Sequence, residues 1–310
     1  MSRLLLSLLA VMLVAGCATS PEGRTQLVAP APLQGLSAVY SEFDMQLQLV
    51  TAADAPACRE AECAADRAFD QRIVVLGRRL ADVAYRQYAE LYLRFQRFEF
   101  VIADKVDPGA ASSAGGTVVI YRGVRRLDLH DAALAFVLAR EMSHVIAGHH
   151  DENATTSILV GVAAQILLPW LNIVRGAAAA FSSTATAATT ATGSALTTTA
   201  ITSAASFAGS RALRAGDRPQ QVREAEAMAM KLLVGAGWEG REVSDQLQAL
   251  RPALPGESAW TGELRESALS VASLMQGPVL PEDPWADGAS GQVAPALPPD
   301  LPPPIVSKPF

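Results

Sequence analysis

Apolar residues recur at three- and four-residue spacing from residue 64 to about 95, where Phe69, Ile73, Leu76, Leu80, Val83 and Ala84 share one face. That period predicts an amphipathic helix. The pattern then changes. Phe98-Glu99-Phe100-Val101-Ile102 reads as a strand and Pro108-Gly109 as a turn. After Gly115-Gly116, the β-branched run Thr117-Val118-Val119-Ile120-Tyr121 reads as a second strand. Asp128 or Asp131 can cap a helix running from Ala132 to about His150. Pro219 opens another over 220 to about 234, closed by Gly235 and Gly237. Two more helices are predicted over 239–250 and 264–275. The two periods together predict an α+β fold, mostly helical, with a small sheet.

Other stretches break this pattern. Residues 154–210 are Ala-, Thr-, Ser- and Gly-rich and almost without charge. Ile158 to Val174 is apolar, but Gln165, Pro169 and Asn172 interrupt it, so an apolar helical hairpin against the domain or a membrane surface is expected rather than a span. Residues 277–310 hold 10 of the 19 prolines and read as a disordered tail. Residues 18–35 are Pro-rich and polar and read as a tether, within an N-terminal segment over 17–63. Of the 310 residues, about 200 remain for a core, enough for one compact domain over 64–276 carrying the insertion. With 25 basic and 31 acidic residues the net charge is −6, so the chain lacks the cationic footprint of a nucleic-acid binder.

The N-terminus bears on compartment. Arg3, a twelve-residue apolar run from Leu4 to Ala15, and then Gly16 have the form of an export signal over 1–16, too short to span a bilayer. Val14-Ala15-Gly16-Cys17 resembles the bacterial lipobox, which implies cleavage before Cys17 and acylation of its sulfur. Ala18 rather than Asp at the next position is similar to the outer-membrane sorting pattern, with the domain facing the periplasm. In that oxidising setting Cys58 and Cys63 are expected to form a disulfide, since two sulfurs without a neighbouring His make an incomplete zinc shell.

The chemistry concentrates in Val137-Leu138-Ala139-Arg140-Glu141-Met142-Ser143-His144-Val145. Residues four apart share a helix face, so positions 140 and 144 point together. A zinc helix of the H-E-x-x-H kind needs imidazoles at both positions and a Glu beside the metal-bound water. Alone, Glu-x-x-His is weak. Its surroundings are stronger: the strand 98–102, the Gly-Gly strand 115–121, the small-residue insertion, Glu224-Ala225-Glu226-Ala227-Met228 and Gly235-Ala236-Gly237-Trp238 follow in order. Over residues 65–275 this resembles the HtpX/BepA-type gluzincins, metallopeptidase family forty-eight. The resemblance implies a gluzincin-like metallopeptidase domain, with Glu141 as general base and His144 and Glu224 as zinc ligands.

The departures fall on the site itself. Arg140 stands at the first ligand position, and Met228 stands where the second helix of the family has Asp. The family's later His-Pro element, expected near Thr261-Gly262-Glu263, is missing. Arginine keeps its proton and offers no lone pair. Arg140 is therefore expected to replace the metal bridge with a guanidinium–carboxylate pair to Glu224. The expected function is a metalloendopeptidase-like domain on a lipid anchor, with catalysis impaired or lost, that binds envelope proteins or unfolded polypeptides and carries no zinc. The alternative is an active zinc metalloendopeptidase in envelope quality control, drawing a missing ligand from His149, His150 or His130.

Overall fold

The computed structural model describes residues 16–28, 31–157, 218–254 and 258–276. It divides into two compact units, one from Met1–Ser37 with His149–Gln221 and one from Ala38–Gly148 with Val222–Phe310. The expected insertion beyond residue 157 and the expected tail over 277–310 lie outside the described residues.

In the first unit β1 (Gly16–Thr19) pairs antiparallel with β2 (Thr25–Val28), in a register that sets Cys17 against Leu27. Its turn is closed by Ser20, whose Oγ accepts from Arg24 N at 3.0 Å. This differs from the tether expected over 18–35. The hairpin is held by a partner 128 residues away, since Arg24 donates to both oxygens of Glu152, at 2.8 and 2.6 Å. Glu152 lies on a helical stretch over 149–157, here α5, which Ser37 also bonds through Asp151.

The second unit carries the fold expected for the site. Helix α1 (Ala31–Thr51) belongs to it from Ala38 onward. After a loop tied by the Cys58–Cys63 disulfide comes α2 (Glu60–Gln87). Its buried face, Phe69, Ile73, Leu76, Gly77, Leu80, Val83 and Ala84, is the stripe the sequence period predicts. The helix stops eight residues short of the expected end. Tyr88 leaves the helical region, and the one-turn α3 (Leu91–Arg94) folds back so that Tyr85 stacks on Tyr92 at 4.4 Å and Phe95 meets Phe98 edge-on at 4.9 Å.

Strands β3 (Glu99–Ala103), β4 (Ala110–Ser112) and β5 (Thr117–Tyr121) form one sheet in the order β3-β5-β4. Strand β3 runs parallel to β5, and β4 antiparallel to it. Strand alternation sends Phe100, Ile102, Val118 and Ile120 to one face, into the main core with α2. Val101, Ala103, Val119 and Tyr121 go to the other, against Met45 and Leu49 of α1. Helix α2 comes so close to the sheet that a Cβ at Gly77 would sit 2.7 Å from the buried Phe100 ring.

A 3₁₀ turn (Arg122–Leu127) leads to α4 (Asp131–Ile146), buried on every side except at Asp131 and His144. Neither expected aspartate caps it: His130 is the N-cap without a side-chain bond, Asp128 is left-handed at φ 47°, and Asp131 pairs with Arg72 at 2.7 Å. Helix α6 spans 218–235 among the described residues and ends in a turn with Gly237 at φ 87°. There Arg79 lies 4.1 Å over the Trp238 ring. Helices α7 (Gly240–Leu250) and α8 (Ala259–Gln276) complete the unit. Helix α8 starts five residues earlier than expected because Ser258 Oγ accepts from Thr261 N at 3.1 Å, an N-cap. No helix among the described residues is long and apolar enough to cross a membrane.

Candidate active site

The middle of α4 carries the polar residues that its pattern does not otherwise allow. Arg140 is 2 % exposed and Glu141 7 %. Both must be satisfied inside the protein, because a buried charge without partners costs several kcal/mol, on the order of 3–5. Arg140 Nη1 donates to Ser267 Oγ at 3.0 Å, on the buried stripe of α8 formed by Leu264, Ser267, Ala268 and Val271. Its Nη2 lies 3.4 Å from Glu141 Oε1, and its Nε is buried without a hydrogen bond. The other carboxylate oxygen of Glu141 accepts from Ser112 Oγ at 3.1 Å. Glu141 is thus tied to the outer strand β4 on one side and to Arg140 on the other. Burial, and after it the negative charge of Glu141, pushes the Tyr121 phenol up, so the carboxylate's field reaches the sheet.

The carboxylate paired with Arg140 is Glu141 and not Glu224, which corrects the expected guanidinium–Glu224 bridge. The reason is α8, whose Ser267 takes one edge of the guanidinium. Glu224 is buried on α6, 7 % exposed, and His144 is half-buried one helical turn after Arg140. Met228, one turn after Glu224, is fully buried in the apolar core and offers no carboxylate. Thr261, Gly262 and Glu263 form the first turn of α8, with Thr261 buried.

The alternative ligands fare unevenly. His130 is the N-cap of α4, ten residues or about 15 Å along the axis from Arg140. It lines a cavity of about 420 Å³ with Arg72, Asp131, Trp238, Glu242 and Gln246, remote from Glu141. His149, which is buried, and His150 open α5 in the first unit. Among the described residues no three His, Cys, Asp or Glu side chains form a group able to hold a metal ion.

The donor chemistry of the α4 residues therefore does not fit zinc. The residue one helical turn before His144 is a guanidinium, Arg140, and Ser267 of α8 binds it. At ~4 Å and an effective dielectric of ~20, a unit charge repels a divalent ion by about 8 kcal/mol. That offsets half or more of the roughly 10–16 kcal/mol of apparent binding energy of a structural zinc site.

Two partners in this cluster escape sequence reasoning. Ser267 leaves a faint trace, a polar residue on the apolar stripe of α8. Ser112 leaves none, because three residues of Ala-Ala-Ser have no strand pattern. The family model described as Peptidase family M48 matches residues 76–263, more than half of the chain, and covers α4, the sheet and α6. No curated protein matches the chain.

Proposed function

The chain belongs to peptidase family M48, and on that premise we propose that it is a catalytically impaired member, an envelope lipoprotein that holds polypeptides rather than cutting them. Its domain is metallopeptidase-like, on a scaffold whose family acts on peptide bonds with zinc. The observation that supports the reading is Arg140, buried and bound to Ser267 at 3.0 Å at the position where the family resemblance expects the first ligand. What remains of the machinery is suited to recognition. Glu141 and Ser112 bond each other where α4 meets β4, one of the two edge strands of its sheet. An extended segment added beside such a strand is bound by main-chain hydrogen bonds and needs no metal. Envelope proteins or unfolded polypeptides are the partners. Acylated Cys17 would hold the domain at the outer membrane, facing the periplasm.

The test is metal content. Purified full-length protein exposed to excess zinc and desalted is expected to retain far less than one equivalent. Arg140→His is expected to raise retention, since it supplies an imidazole and removes the repelling charge. One tightly held equivalent in the wild type would overturn the reading. So would chelator-sensitive cleavage of an unfolded substrate that disappears in Glu141→Gln.

A further inference from the structure

Helix α1 carries two apolar faces. Met45 and Leu49 pack on the sheet. On the opposite side Val39, Phe43, Leu47 and Val50 are 68, 66, 40 and 79 % exposed, in one stripe at helical spacing. The eleven steps of 1.5 Å from Val39 to Val50 make this stripe about 16 Å long. We infer that this stripe docks into the headgroup–acyl boundary of the membrane that carries the protein's own lipid anchor. The inference rests on the lipoprotein reading of Cys17.

Three observations favour a bilayer as the occupant. First, the chain keeps the anchor close. Cys17 is registered against Leu27, and α1 begins at Ala31. Only the short stretch of chain from Leu27 to Val39 joins the hairpin strand beside Cys17 to the start of the stripe, so the anchor tethers the stripe to the membrane surface. Second, the stripe has the composition of an interfacial face, with Phe43 in its middle and aliphatic residues around it. Third, the neighbouring polar residues are bound along the helix and do not cross the stripe. Gln46 donates to Glu42 at 3.2 Å and Gln48 to Asp44 at 3.3 Å.

Charge also specifies the lipid. Helix α1 has two acidic residues and no Lys or Arg. Attraction to anionic headgroups therefore contributes nothing, and contact comes from apolar insertion into a zwitterionic leaflet. Docking is then expected to be insensitive to salt.

The experiment places a nitroxide at Phe43→Cys, Val50→Cys or Val75→Cys in the full-length acylated protein, in phosphatidylcholine vesicles. Val75 is 64 % exposed on α2 and serves as the aqueous reference. Expected are labels at 43 and 50 that gain collisions with oxygen and lose them with a water-soluble nickel chelate, at low and high salt alike, while the label at 75 stays aqueous. Labels at 43 and 50 that remain aqueous on floating vesicles overturn the docking and leave the anchor intact. Labels shielded from both reagents mean that protein covers the stripe, a second copy or another segment of the chain, and overturn it too. Failure of the wild type to float would remove the anchor itself, and the inference with it.

Discussion

Helices α1 and α4 are both apolar on more than one side, yet one is covered all round and the other is not. Helix α4 is enclosed by α2, the sheet, α7 and α8, and its only half-buried residue is His144. Helix α1 reaches the sheet with one side and leaves Val39, Phe43 and Val50 more than half exposed on the other. The contrast teaches that an apolar surround is no measure of burial. What distinguishes the two is polar content. Inside α4, Arg140 and Glu141 are retained at a cost in desolvation and answered by Ser267 and Ser112. Charges buried at such a cost need partners that the fold must supply, whereas an apolar face left open is surface that a partner can cover.

Substitutions can break or sharpen this comparison. The largest effect belongs to α4's packing: Phe136 is fully buried, and Phe136→Ala is expected to lower unfolding stability by about 3–5 kcal/mol in denaturant melts. Arg140→Leu is expected to lie in the same range, about 3–5 kcal/mol, because it strands the Glu141 carboxylate. Equal or higher stability in that variant would mean the carboxylate needs no counter-charge. Ser267→Ala removes one bond to a buried cation and should cost about 1–3 kcal/mol. On α1, Phe43→Ala should change stability by no more than about 0.5 kcal/mol, since the ring is exposed. A loss above 2 kcal/mol there would show a face already covered. Smallest of all, prolonged dialysis against a chelator should leave the melting temperature unchanged, because Glu141 and Arg140 are already answered by protein groups, Ser112 and Ser267 among them.

Much of the fold was legible in the chain because strong periods are local. The stripe from Phe69 to Ala84 is α2, the Thr117–Tyr121 run is β5, and Gly235 and Gly237 close α6. Boundaries moved where tertiary contacts intervene, as at the Tyr85–Tyr92 stack that ends α2. Elements without a period of their own were missed. Strand β4 is three small residues, and the β1–β2 hairpin depends on Glu152. The candidate site was half legible: Arg140, Glu141, His144 and Glu224 stand out in the sequence, while Ser112 and Ser267 do not.

By itself the sequence determined the periods of the elements, the family to which they belong and the presence of a permanent cation one helical turn before His144. Those follow from residue type and near-neighbour spacing, which no folding event alters. Only the tertiary structure decided that Ser267, 127 residues further on, takes the guanidinium. It alone decided that Glu141 and not Glu224 is the paired carboxylate, and that one side of α1 meets the sheet while the other stays open. Such choices depend on which buried groups compete for one donor and on how much apolar surface the neighbours can cover. Those are properties of packing, and local spacing does not encode them.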